Sequence, residues 1–298
     1  MTTSPLYPVA SSQLRALCGL SAPSWERLVA TAVPVLLTRR QEQQARRPKR
    51  QRAVGGGRKR RLKPEQELLL TLIYLRHNVA HAVVGALFGV SADTSENTFY
   101  EVISVLQEVC PVQRWDAEKH WKKGEPSWTP TAADQVLIDS FETPVPRPSQ
   151  DEAQRRCYSG KKKRHTVKSQ VVTTGDGEIL EIDPGHRGPR SDKKLYEASG
   201  VAERYPAAEK RADLGYQGLA DVQVPHKKPK GGSLAAEHRE ANRQHARVRV
   251  RVEHGIRRLK AFRILREPYR LARGLFPRIA FVVVGLVHLQ CLVGTPSS

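Results

Sequence analysis

Three carboxylates sit in settings that suggest chemistry more than solvation. Asp139 ends the apolar run Val136, Leu137, Ile138, and acids are unfavourable in strands. Asp213 closes Lys210-Arg211-Ala212 and enters the glycine-containing turn Leu214-Gly215-Tyr216-Gln217-Gly218, where a carboxylate can meet a metal ion. Glu253 is the sole acid between residues 241 and 265, where every other charged side chain is basic. Carboxylates converging from separate elements are what a pair of divalent ions requires, and two ions about 4 Å apart serve both ends of an in-line phosphoryl displacement. Magnesium prefers such oxygen ligands and keeps several waters.

The segment around Glu253 has a helical pattern. Val248, Val252, Gly255, Leu259 and Phe262 form one packing stripe. Arg249, Glu253 and Lys260 share a neighbouring face, with basic groups suited to phosphates. An intrahelical ion pair of Glu253 with Arg249 or Arg257 explains the same spacing and is worth only ~0.5 kcal/mol. Spacing alone leaves the two readings open.

The elements that must position these groups begin at Gln135. Gln135 to Phe141 reads as a strand, His165 to Thr174 alternates as a second, Gly175-Asp176-Gly177 is a hairpin turn, and Glu178 to Ile182 is the return strand. A helix over residues 191–202, a strand over 207–212 and a long helix over 234–262 follow. Three strands in a meander, then helix, strand and helix, is the order of a ribonuclease-H-like α/β domain with a mixed sheet.

Upstream, Pro64, Glu65 and Glu67 suit a first helical turn, and Leu68, Leu69, Leu72, Ile73 and Leu75 form an apolar stripe. A short helix from Val79 to Phe88, the turn Gly89-Val90-Ser91 and a polar-start helix from Ala92 to Val109 complete a helix-turn-helix pattern. The start of the last helix would face base edges in the major groove, through Ser91, Thr94, Asn97 and Thr98 among others.

The expected organisation is therefore a helical segment over 1–38, a basic linker or arm over 39–63, the helix-turn-helix over 64–110, a linker over 111–134 and the α/β domain over 135–298. Residues 39–63 hold twelve Lys or Arg and one acid, too little apolar surface for a core. The whole chain of 298 residues carries a formal net charge of +20, which favours a polyanionic partner. The longest apolar stretch, Ile279 to Val293, contains His288 and Gln290 and falls short of the roughly 20 apolar residues of a spanning helix. Four cysteines without CxxC spacing argue against a zinc site or a disulfide scaffold and suit a cytoplasmic protein.

LFGVS at 87–91, VLIDSFETPVPRP at 136–148, YSGKKKRHTVKSQVV at 158–172, ADLGYQG at 212–218 and RVRVEHGIRRLKAFRIL at 249–265 run in a fixed order along the chain. Together they resemble the DDE transposases of insertion sequences, in the fifth insertion-sequence family with its Harbinger-type relatives. The resemblance implies a catalytic, metal-binding triad of Asp139, Asp213 and Glu253, with 39 residues between the last two. Asp192, in Ser191-Asp192, competes for the second place, and Ser140 stands where a glycine usually follows the first aspartate. Arg249 and Lys260 would contact DNA, as would the patch Lys161, Lys162, Lys163 and Arg164 before a core strand. The implied cofactor is a pair of magnesium ions, which manganese can replace. The implied partners are double-stranded element ends and target DNA, joined by a dimer or larger assembly at the nucleoid and not at a membrane.

Overall fold

The computed structural model describes residues 9–46, 59–110 and 134–294, with side chains to residue 290. Apart from Asp134, the expected 111–134 linker lies outside the described residues, as do 47–58 of the basic run. The chain divides into two compact units, residues 1–112 with 261–264 and 285–298, and residues 113–260 with 265–284. The expected α/β domain thus gives two short C-terminal segments to the helical unit.

The helical unit contains α1 (Ser11–Cys18), α2 (Ala22–Ala45), α3 (Pro64–His77), α4 (His81–Phe88) and α5 (Ala92–Val109). The turn between α4 and α5 depends on glycine twice. Gly89 adopts φ +69°, and a Cβ on Gly85 would lie 2.7 Å from the Val90 carbonyl oxygen. Tyr74, His81 and Phe99 stack beneath it, Tyr74 and His81 with ring centroids 4.2 Å apart. The start of the expected 39–63 arm is helix. Arg39 and Arg40 continue α2, and Arg40 binds Glu67 at 2.6 Å and Glu101 at 2.8 Å. At the other end Arg60 reaches Glu67 at 2.9 Å. Charge count alone missed these anchors because their acidic partners lie on α3 and α5.

The second unit is built on a mixed sheet of β1 (Gln135–Pro144), β2 (Tyr158–Ser159), β3 (Arg164–Thr174), β4 (Ile179–Arg187), β5 (Glu209–Arg211) and β6 (Val222–Gln223). Across the sheet the order is β4-β3-β1-β5-β6, with β2 beside the start of β3. β3 is antiparallel to β1, β2 and β4, while β5 and β6 run parallel to β1. This is the ribonuclease-H-like arrangement expected from the element order. The described helices are α6 (Asp151–Cys157), α7 (Asp192–Ser199), α8 (Val201–Arg204), α9 (Ala236–Lys260) and α10 (Phe276–Gly294).

Successive strand residues point to opposite faces, and the two faces of this sheet hold different helices. Val136, Ile138 and Val172 pack with Tyr196 of α7 and Val201 of α8. The alternate residue Thr173 meets Gly255 of α9, where a Cβ would be 3.3 Å from its methyl group. The β3–β4 turn is fixed to α9, since Arg251 donates to the Gly175 carbonyl at 2.7 Å and Arg258 to that of Gly177. α10 includes a window long and apolar enough to cross a membrane, but 56% of that window is buried within the protein. Ile279, Val282, Val283 and Leu286 are fully buried. The described cysteines Cys18, Cys110 and Cys157 are buried.

Candidate active site

Strand pairing brings the first two carboxylates together. Leu137 of β1 lies opposite Arg211 of β5 in a parallel register, so Asp139 inside β1 and Asp213 just past β5 stand level on neighbouring strands. Asp213 leaves β5 into a short 3-10 turn and caps it by accepting from the Gly215 N–H at 2.8 Å. The Ala212 carbonyl just before it accepts from His245 Nε2 of α9 at 2.8 Å. Burial holds the His245 pKa below its ordinary value, so the neutral ring acts as a strut.

Asp192 reaches the same place from the other face of the sheet. Ser191 caps α7 by accepting from the Lys194 N–H. Asp192 Oδ1 then accepts from Ser140 Oγ at 2.6 Å and from Lys168 Nζ at 3.1 Å. A Cβ on Gly215 would lie 2.7 Å from Asp192 Oδ2 and 2.9 Å from Asp213 Oδ1. The glycine therefore lets the two carboxylates approach.

Asp139 accepts from the Ser140 N–H at 2.7 Å. Its pKa is pushed up to about 6, first by burial and then by the negative charges of Asp213 and Asp192, against the Ser140 N–H and Arg249. The Arg249 guanidinium is 3.8 Å from Asp139 and 2.9 Å from Glu253. It thus links the first carboxylate with the one on α9, and Glu253 remains half exposed at 47%. The intrahelical pair left open by the spacing is present, and the same arginine faces Asp139. Lys260 lies 5.2 Å over the Phe141 ring. Burial and Lys162 lower its pKa, against Asp139 and Glu142, so the β2–β3 patch and α9 meet on this side.

The donor set is one that hard divalent cations prefer: carboxylate oxygens with a surplus of negative charge. The Tyr216 hydroxyl is buried without a hydrogen-bond partner among the described residues. Burial and then the charges of Asp192, Asp139 and Asp213 raise its pKa. A buried donor left unpaired costs free energy, so an oxygen ligand at the carboxylates has a waiting partner. Among the described residues no three carboxylate, imidazole or thiolate groups stand close enough to hold an ion as they are. The carboxylates fit a divalent cation in their chemistry, and Arg249 lies between Asp139 and Glu253.

Lys168, Tyr216, Gly215 and His245 escaped the sequence reading. Lys168 is a buried cation inside a strand, a placement that no local pattern marks. The Leu-Gly-Tyr turn was read for its aspartate alone.

Among the expected DNA-facing residues, Lys161, Lys162, Lys163 and Arg164 are exposed at the β2–β3 turn, with Lys163 at φ +50°. Ser91 accepts from the Thr94 N–H at 3.2 Å and caps α5. Ser91, Thr94 and Asn97 are exposed. Thr98 is corrected: it is 4% exposed, because Ser95, Thr98, Phe99 and Val102 form the packed stripe of α5. It lies at the base of a groove of about 380 Å³ also lined by Lys59, Arg61, Ser91 and Thr94.

Residues 138–288 match the DDE superfamily endonuclease family, and residues 60–111 match the helix-turn-helix of DDE superfamily endonucleases. The chain is 31% identical over 232 residues to a transposase assigned to insertion sequence element IS702 of Microchaete diplosiphon, covering 76% of this chain and 80% of that protein. It is 30% identical over 205 residues to one assigned to element IS112 of Streptomyces albus G, covering 68% and 71%. A chain from the crystal structure of a pre-cleavage Mos1 transpososome aligns over 84% of this chain and 83% of that one, with a TM-score of 0.17 and 10% identity, and carries no argument. With a nuclease-type sheet, clustered aspartates and matches over both units, the chain belongs to the DDE transposases of insertion sequences.

Proposed function

We propose that this transposase binds the terminal inverted repeats of its own element, cleaves there, and joins the freed 3′ end to target DNA. The supporting observation is the approach of Asp213 and Asp192 at Gly215, both acting on the charge of Asp139, with Arg249 between Asp139 and Glu253. Asp139, Asp213 and Glu253 would hold two divalent ions, magnesium by preference. When bound, the ions supply activation of the attacking oxygen and charge neutralisation of the leaving oxygen. Asp213 is the second ligand in this reading because it follows the strand beside β1. Asp192 is spent on Ser140 and Lys168 and fixes the backbone beside Asp139.

The remaining groups bind and orient. Arg249 turns from the carboxylates to a DNA phosphate once cations take its place, and Lys260 with Lys161 to Arg164 holds the backbone beside it. Exposed Thr94 and Asn97 at the start of α5 read the repeat, with Ser91 on the neighbouring phosphate. Two element ends are joined in one event, so the working form is a dimer or larger.

The test is strand transfer with labelled element-end DNA in magnesium, beside repeat binding on the same preparation. The wild-type protein should nick and join. Glu253→Gln and Asp213→Asn should do neither while still binding the repeat. Full strand transfer by Glu253→Gln would falsify the triad.

A further inference from the structure

A second basic region lies apart from Arg249 and Lys260. A groove of about 750 Å³ has Arg156, His186, Arg187, Arg190, Ser191 and Lys194 on its polar walls and, among the described residues, no acidic one in its lining. Glu152 answers Arg156, and Asp183 answers His186 at 2.7 Å. Among the described residues Arg187, Arg190 and Lys194 have no carboxylate at ion-pair distance, and Arg190 instead has its guanidinium 3.5 Å from His186 Nδ1. Like charges in a concave wall repel, and the concavity focuses their field on whatever enters. Its occupant must therefore be anionic. Among the described residues no aliphatic side chain beyond Pro189 lines the groove, so it offers little to an acyl chain. The charges come from α6, the end of β4 and the start of α7, in a volume well above that of one phosphate group.

The groove lies where the end of β4 turns into α7, whereas Arg249 and Lys260 lie on α9. It is also tied to the carboxylates. The buried Lys168 ammonium donates at 2.8 Å to the Arg190 carbonyl, in the groove wall, and at 3.1 Å to Asp192.

We infer that this groove seats the phosphodiester backbone of DNA, as a second track where β4 turns into α7, apart from Arg249 and Lys260 on α9. The inference rests on the reading of the chain as a DNA-joining transposase. Arg187, Arg190 and Lys194 each neutralise a backbone phosphate, and the Lys168 link keeps that track in register with Asp192.

The experiment is a salt titration of duplex binding by the full-length protein, with and without the terminal repeat. It compares the wild type, Arg187→Ala/Arg190→Ala/Lys194→Ala and the charge-keeping Arg187→Lys/Arg190→Lys/Lys194→Arg. Each phosphate neutralised contributes about −0.9 to the slope of log affinity against log salt. The alanine variant should lose about two to three units of slope and keep its preference for the repeat, and the charge-keeping variant should match the wild type. An unchanged slope in the alanine variant, with the wild type binding normally, overturns the groove alone. Equal loss in the charge-keeping variant also overturns it, because shape and not charge would then be at work. A wild type that binds no duplex overturns this inference and the transposase reading together. Inorganic phosphate should displace the duplex no better than chloride at equal ionic strength. Preferential displacement from the wild type but not from the alanine variant reassigns the groove to a small free anion.

Discussion

Glu67 of the helical unit has 2% of its side chain exposed and is met by Arg40 at 2.6 Å and Arg60 at 2.9 Å. Glu101 is met by the same two arginines, which hold its carboxyl below the ordinary range against the burial that opposes them. In the sheet unit Asp139 has 16% of its side chain exposed, and its nearest cation stands at 3.8 Å and is shared with Glu253. Two further aspartates press on it, and its pKa rises to about 6. Around Glu67 and Glu101 each acid is matched by arginines, and around Asp139 acids stand in excess. Matched charge is how a fold specifies itself. Unmatched charge destabilises the empty fold and marks a place for a cation.

That contrast can be broken most severely at the carboxylates. Asp139→Asn should lower magnesium-dependent strand transfer below detection while leaving repeat binding intact. Asp192→Asn should leave measurable activity, because its role lies with Ser140 and Lys168. Equal loss in the two variants would reopen the choice of second aspartate. The readout is product yield on a labelled element end.

Stability should move in opposite directions in the two units. Glu67→Ala strands Arg40 and should lower unfolding free energy by about 3 kcal/mol. Asp139→Asn removes a strained charge and should raise it at pH 7 in metal-free buffer. A carboxyl whose folded pKa lies above its unfolded value binds more protons in the native state between about 4 and 6, so stability falls as pH rises through that window. At about 1.36 kcal/mol per pKa unit, the gain in Asp139→Asn should approach 2–3 kcal/mol at pH 7 and shrink towards pH 4. Urea unfolding at both pH values measures this, and a gain that does not depend on pH would remove the strained-charge account.

The same titration should appear in activity. Cation binding needs Asp139 ionised, so strand transfer at limiting magnesium should fall as pH drops through about 6. Excess magnesium should move that fall to lower pH. A profile indifferent to magnesium would place the titrating group elsewhere.

The smallest expected effect lies at α5. Asn97→Ala should cost about 1–3 kcal/mol of discrimination between repeat and random duplex and little general affinity. Thr98→Ala should leave discrimination unchanged, since Thr98 is buried in the stripe of α5. Competition binding with the two duplexes separates them.

The linear sequence determined whatever depends on neighbours within a few residues. The periods of α3, α5 and α9, the β3–β4 hairpin and the apolar run into Asp139 follow from local pattern. Glu253 was conspicuous because every charge around it is basic. Only the tertiary structure decided pairings across long separations, because hydrogen bonds and ion pairs carry no trace in local spacing. Arg40 looked like part of a solvated basic run until α3 and α5 supplied Glu67 and Glu101. Nothing local singles out Lys168, which β3 turns to Asp192. Asp192 and Asp213, 21 residues apart in sequence, became neighbours because a strand end and a helix start converge on a glycine with no Cβ to separate them.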